Sequence, residues 1–477
     1  MNYIAPRTML AAHVAQRLLR NKPKGATVTC TLDAGLQRFA LESIAGQLSA
    51  LNGQNVCDGA VLVLENKTGQ VLAYATYSTD NSAAQYVDGI QAKRQAGSTL
   101  KPFLYGLAFD QHILTAASIL NDAPLDISVA GGIYQPRNYD STYRGPVSAR
   151  IALASSLNVP AVLTLNLIGE ESFLSKLRQM GIKDLSESGD FYGPSLALGA
   201  ADVSLWELTD AYRALANGGQ WSEAILSLDK ARGIRNKQIF SREATFIVSD
   251  ILADREARSS TFGLENSLAT KFWSAVKTGT SKDMRDNWCI GYSSKYSVGV
   301  WVGNYSGQSM WNVSGVSGAA PVWSEIMNYL QRHKSSQKMD APINMVRREI
   351  ASSANIGKRH EEWFIRGTEL SANVQVVKQY NEKIVYPPSG TVIALDPDIP
   401  PDLQKVFFIS QTEGKELSWR LNDLAIGETG KLIAWSPKRG KYNLVLTDKQ
   451  GKIIDSVSFE VRGAQQADPD DNDQAQH

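Results

Sequence analysis

Apolar residues at Leu36, Phe39, Leu41, Ile44 and Leu48 recur at helical spacing. Asp33 stands just ahead of them, where a side-chain oxygen can cap free backbone N–H groups, so a helix is predicted from there to about Leu51. Met9, Leu10, Val14, Leu18 and Leu19 give a shorter amphipathic helix before it, and Thr27–Thr31 reads as a strand. The apolar runs on either side of the turn Asn66-Lys67-Thr68-Gly69 predict a hairpin over 60–75, too continuous in apolar character to face water on one side. The period then turns helical, with candidate helices near 98–110, 147–167, 169–180, 202–217 and 241–254. Strands return over 273–303, where Tyr296, Val298, Val300 and Val302 share one face, and a last helix covers about 319–331. Strands early, helices in the middle and strands late predict one α+β domain whose sheet is closed by both halves of the chain.

The character changes after a polar stretch at about 334–380. Short apolar segments beginning at Val406, Leu417, Tyr442 and Val457 are separated by Gly, Asn and Asp turns, a spacing that predicts a small β-sandwich. The expected organisation is a linker or helix remnant at 1–26, an α+β domain at 27–335, a connector at 336–380, a β-sandwich at 381–463 and a disordered acidic tail at 464–477.

Composition narrows function mainly by exclusion. With 49 basic and 48 acidic residues, the net charge of +1 gives no electrostatic reason to expect nucleic acid as a partner. Cys30, Cys57 and Cys289 lack metal-type spacing and read as small core residues, with a Cys30–Cys57 disulfide left open. No run of 18 apolar residues is present, and Arg7, His13, Arg17 and Arg20 interrupt any signal-type segment.

Candidate chemistry sits in three fragments: Gly97-Ser98-Thr99-Leu100-Lys101-Pro102, Ser156-Leu157-Asn158, and Lys277-Thr278-Gly279-Thr280-Ser281. Singly each is weak. The first spacing recurs at Ser227/Lys230, Ser274/Lys277 and Ser335/Lys338, the second at Ser353/Asn355 and Ser371/Asn373, and the third at Lys67-Thr68-Gly69. Plain structural explanations also exist: a capping serine before a surface lysine, a polar pair at a helix end, an edge strand guarded by lysine. Pro102 places a helix start near Ser98, because its missing N–H is harmless in a first turn. That start would supply free N–H groups for a developing anion and bring the Ser98 hydroxyl near the Lys101 amine. In a strand, Lys277, Gly279 and Ser281 point one way and Thr278 and Thr280 the other, with Gly279 leaving room beside the lysine.

In this order, at intervals of roughly 55 and 120 residues, the fragments resemble those of the serine penicillin-recognising enzymes. Their surroundings resemble the transpeptidase domain of class A penicillin-binding proteins: Arg94–Phe103, Asn66–Ala73, Asn138-Tyr139-Asp140, Ser195–Gly199 and Lys277–Asp286, with Glu361–Glu369 and the C-terminal strands extending the likeness. The resemblance implies an antiparallel sheet flanked by helices with a helical subdomain, followed by an immunoglobulin-like sandwich. It implies a serine D-Ala-D-Ala transpeptidase that uses no metal or organic cofactor. Ser98 would be the nucleophile, Lys101 the general base and Ser156 the proton relay to the leaving group. Asn158 would hold the donor amide, and Lys277, Thr278, Gly279, Thr280 and Ser281 would form the substrate-binding strand. Backbone N–H groups of Ser98 and Thr280 would form the oxyanion hole.

Expected ligands are peptidoglycan stem peptides and β-lactams, and the expected partner is a separate glycosyltransferase or cell-wall synthesis complex. Family members begin with a membrane helix and a glycosyltransferase domain, and neither signature occurs in this sequence. The expectation is therefore a truncated or split protein without glycan polymerisation. By resemblance it acts in the periplasm or at the periplasmic face of the inner membrane, with export left open. A β-lactamase, a DD-carboxypeptidase and a catalytically silent scaffold stay open as alternatives.

Overall fold

The computed structural model describes residues 10–129, 132–228, 236–333, 336–351, 359–369, 382–395, 400, 403–411, 417–429 and 433–463. The tail at 464–477 lies outside them. The chain divides into two compact units, residues 1–123 with 137–377, and residues 124–136 with 378–477.

The larger unit is built on a five-stranded antiparallel sheet in the order Ala275–Thr280, Asp286–Tyr292, Tyr296–Gly303, Asp58–Glu65, Val71–Ser78. Asp58 pairs with Gly303 and Glu65 with Tyr296, so the early hairpin docks beside the late strands, as the alternation of strands and helices predicts. The Asp58–Glu65, Asp286–Tyr292 and Tyr296–Gly303 strands are buried almost throughout, which explains the near-continuous apolar run in the first of them. One face packs on the helices Ala34–Ala50 and Ala320–Gln331, through Leu36, Ile44, Leu48, Trp323 and Ile326 against Val61, Val63, Val298, Val300 and Val302. The other face meets the helix Leu205–Ala216, for which Gly299 makes room beside Leu205 and Thr209.

Several expectations are revised. Thr27–Thr31 contributes a single bridge, Cys30 to Ser227, rather than a strand. The apolar stretch 147–167 is not one helix: it forms Ala149–Ala154 and Asn158–Ile168, broken at Ser156, whose φ is +60°. Ser156 and Asn158, with Pro160 two residues on, are expected at the end of a helix; instead Asn158 opens the second helix and Pro160 sits in its first turn. The polar stretch 336–380 contains a hairpin, Met345–Ala351 with Arg359–Ile365. Its Glu362 is 1% exposed and meets Arg150 at 2.6 Å, an ion pair that periodicity does not register. All three cysteines are free thiols.

The smaller unit is all-β. Its five-stranded sheet runs Val392–Ala394, Ile453–Arg462, Gly440–Thr447, Ser418–Leu421, Leu424–Glu428, and short strand pairs at 383–386 with 409–411 and 406–407 with 434–435 accompany it. Phe408, Trp419, Leu444 and Phe459 form its core.

Candidate active site

Ser98 lies in one tight 3-10 turn, Gly97–Leu100, that runs into the helix Lys101–Asp110. That helix is buried from Lys101 to Phe109, so the turn is carried on a fixed central element. Neighbouring strands and helices hold the turn. Trp288 Nε1 donates to Gln95 O at 2.9 Å, and Tyr212 donates to Thr99 O at 2.7 Å. Gly97 has φ +56°, and its N–H donates to Gly199 O at 3.1 Å. A β-carbon on Gly199 would lie 2.0 Å from Gly97 O, which explains the glycine closing Ser195–Gly199.

The strand Ala275–Thr280 is the edge of the sheet, yet Lys277 is only 3% exposed. The turn bearing Ser98 covers that edge. A β-carbon on Gly279 would lie 2.8 Å from Thr99 Cγ2 and 2.9 Å from Ala96 O, so this glycine permits the approach. Ser281 N–H donates to Asp286 O, which turns the N–H of every second residue toward the neighbouring strand and leaves that of Thr280 on the open edge, facing Gly97. The Ser98 N–H makes no backbone hydrogen bond among the described residues. The Thr280 backbone thus lies against Gly97, next to Ser98, and N–H groups without a backbone partner are what an oxyanion hole is built from.

Both lysine amines converge on the segment between the split helices. Lys101 Nζ donates to Ser156 O at 2.8 Å, Leu157 O at 3.1 Å and Asn158 Oδ1 at 2.7 Å. Lys277 Nζ donates to Ser156 Oγ and to Thr278 O, each at 2.8 Å. Ser156 therefore bridges the amines, one through its carbonyl and one through its hydroxyl. The left-handed backbone at Ser156 lets both groups face inward. Ser98, Ser156, Asn158 and Thr280 are each partly exposed above the two buried lysines. The Ser98 hydroxyl makes no hydrogen bond among the described residues, so the expected direct contact with Lys101 is not formed in this state.

Burial shapes the electrostatics. It holds Lys101 well below the usual lysine range, and Lys277 beside it pushes the same way. Lys277 itself is lowered to about 7, by burial first and with Arg258 adding to the effect. Two buried amines side by side, each lowered from the usual lysine range, suit base chemistry coupled to anion binding.

The remaining expected residues are placed as follows. Thr278 is buried, and Thr280 Oγ1 accepts from Gly315 N at 3.1 Å. Ser281 donates to Asp286 at 2.8 Å and closes the turn after the strand. Asn158 has both ends of its amide engaged, Oδ1 by Lys101 and Nδ2 with Arg137 O at 2.6 Å. Lys67-Thr68-Gly69 is a hairpin turn in which Thr68 donates to Glu65 at 2.6 Å. The competing matches that use Lys230, Ser335, Ser353 or Ser371 involve residues outside the described ones.

The model of the penicillin-binding protein transpeptidase domain matches residues 59–328. The chain belongs to that family. A second model, the penicillin-binding protein C-terminus family, matches residues 373–459. Among curated relatives, the chain is 32% identical over 384 residues to penicillin-binding protein 1C from Escherichia coli, covering 77% of this chain and 48% of that one. It is 29% identical over 375 residues to penicillin-binding protein 2D from Bacillus subtilis, covering 73% and 52%. The chain thus spans about half the length of these relatives. Penicillin-binding protein 1A from Haemophilus influenzae shares the fold at TM-score 0.57 and 23% identity, over 66% of this chain and 54% of that one. PonA1 from Mycobacterium tuberculosis, solved with penicillin V, does so at TM-score 0.57 and 23% identity, over 70% and 94%.

Two residues that the sequence did not single out for the candidate site stand directly behind it. Asn138 Oδ1 accepts the Asn158 N–H at 2.8 Å, and Asn138 in turn is held by Asp122. Only Asn138, inside Asn138-Tyr139-Asp140, carried any sequence signal. Among the described residues, no helix is long and apolar enough to cross a membrane, and no cluster of potential metal ligands occurs.

Proposed function

We propose that this chain is a DD-transpeptidase that crosslinks peptidoglycan stem peptides through an acyl-enzyme on Ser98. The observation that carries the reading is the convergence of Lys101 and Lys277 on Ser156 beside the Ser98 turn. As an ammonium, Lys101 would fill its three acceptors. As a neutral amine it has two N–H groups and one lone pair, so one contact is released for the Ser98 proton. The 3.1 Å bond to Leu157 O is the longest of the three.

Ser98 Oγ then attacks the carbonyl of the penultimate D-Ala and gives its proton to Lys101. The N–H groups of Ser98 and Thr280 take the oxyanion, each worth about 3 kcal/mol in such sites. As the C–N bond breaks, the proton passes through Ser156 to the leaving D-Ala. An amine from a second stem reverses the sequence: it loses a proton to the same relay, and Ser98 leaves protonated. Charged Lys277, with Thr278 and Thr280, binds the terminal carboxylate of the donor, and Asn158 orients its amide. A β-lactam would stop at the acyl-enzyme. The site of action is the periplasmic cell wall, by kinship with its relatives, with a cell-wall synthesis complex as the natural partner.

The test is product analysis with a synthetic pentapeptide donor and a diamino acceptor. Crosslinked dimer with release of one D-Ala per bond is expected. Tetrapeptide alone would assign a carboxypeptidase, and rapid turnover of penicillin a β-lactamase.

A further inference from the structure

The Ser156–Asn158 segment supplies all three acceptors of the Lys101 amine. Its own backbone bonds run back to the preceding helix, Ser156 N to Leu153 O at 3.1 Å and Leu157 N to Ala152 O at 2.9 Å. Besides the two lysines, it is tied to the rest of the fold by Arg137 O, which accepts from Asn158 Nδ2 at 2.6 Å, and by Asn138. That side chain is 6% exposed and uses both ends. Oδ1 accepts the Asn158 N–H at 2.8 Å, while Nδ2 donates to both oxygens of Asp122 at 2.9 Å and to Thr142 O at 2.8 Å. Asp122 is fully buried, and its second support is the Arg144 N–H at 2.9 Å. Among the described residues no lysine or arginine side chain forms an ion pair with Asp122, so its buried carboxylate is held by amide donors alone.

A buried carboxylate is costly unless its oxygens are fully bonded, so a packed pair of this kind fixes geometry rather than adding net stability. The chain from Asp122 through Asn138 to Asn158 ends 2.7 Å from the Lys101 amine. We infer that Asp122 and Asn138 are positioning residues: they fix the height of the Ser156–Asn158 segment and thereby set how Lys101 and Ser156 face Ser98. This rests on the acyl-enzyme reading above and adds the pair that keeps its base in place.

Stopped-flow labelling with a fluorescent penicillin separates the rate constant of acylation from the fraction of protein labelled. A pair that serves only folding would change the fraction and leave the rate of the folded molecules intact. Asn138→Ala is expected to slow acylation about 100-fold, the scale of an ångström-sized misplacement, at an unchanged labelled fraction. The exchange Asp122→Asn with Asn138→Asp keeps an oxygen facing the Asn158 N–H and an amide facing a carboxylate. It is expected to recover the rate to within about tenfold of the parent. Parent-rate acylation of Asn138→Ala would overturn the inference. Where Asn138→Ala yields no folded protein, Asp122→Asn alone decides: at least about tenfold slowing supports the pair, and parent-rate labelling overturns it. Labelling of the parent at a residue other than Ser98 would instead sink the acyl-enzyme reading, so the two failures are distinct.

Discussion

Lys277 shows what the site demands of single residues. A lysine with 3% exposure is a poor choice for stability, and burial lowers it to about 7. Between that value and the ordinary 10.5 the unfolded chain binds more protons than the folded one. The destabilisation is therefore full below about pH 7 and fades as pH rises toward 10.5. Lys277→Met should raise the melting temperature at pH 6, by the equivalent of about 1–4 kcal/mol, with the gap narrowing above neutrality. The same variant should lose most of its affinity for anionic β-lactams. A melting temperature at pH 6 equal to or below the parent's would show that Lys277 is not held as a strained charge. In the parent, affinity for the β-lactam carboxylate should weaken as pH rises through about 7, because Lys277 then loses its proton. Calorimetric titration of the Ser98→Ala variant at pH 6 and pH 9 measures that loss without acylation.

At the scale of elements, the site is an edge strand laid on a helix start, and glycine sets their spacing. Gly279→Ala would bring a β-carbon to 2.8 Å from Thr99 Cγ2 and 2.9 Å from Ala96 O. The strand must move away from the Ser98 turn, opening the space between the Ser98 and Thr280 N–H groups. Acylation should fall about 100-fold, with a stability loss of about 1–3 kcal/mol in urea unfolding. The helix carrying Arg150 is braced from outside. Arg150 meets Glu362, Asp250 and Asp254 at 2.6, 2.8 and 3.0 Å. Glu362→Ala leaves the other two partners in place, so the expected cost is about 3 kcal/mol, the lower end for a broken buried pair. Differential scanning calorimetry would read it, and an unchanged transition would show the hairpin to be dispensable to the fold.

For the molecule as a whole, what was legible follows from what periodicity records. Sheet strands buried on both faces leave apolar runs, and helices on a core leave a 3.6-residue spacing, so the α+β order and the three fragments could be read directly. A helix end at Ser156–Asn158 was legible but the restart at Asn158 was not, because residues 149–168 are apolar on both sides of it and Pro160 fits a helix start as well as a stop. Nor was the brace at Glu362, since one buried ion pair leaves a strand looking polar. The Asp122–Asn138 pair spans 16 positions with no motif joining them. Order along the chain pointed to the groups proposed to react; the packing pointed to the groups proposed to hold them. The proposed chemistry stands or falls on acylation of Ser98. Incubation with benzylpenicillin, proteolysis and mass spectrometry of the fragments tests it most directly. One stable adduct is expected, on the fragment containing Ser98, and none in Ser98→Ala. An adduct that persists in Ser98→Ala, or a folded parent chain that takes up no penicillin, would contradict it.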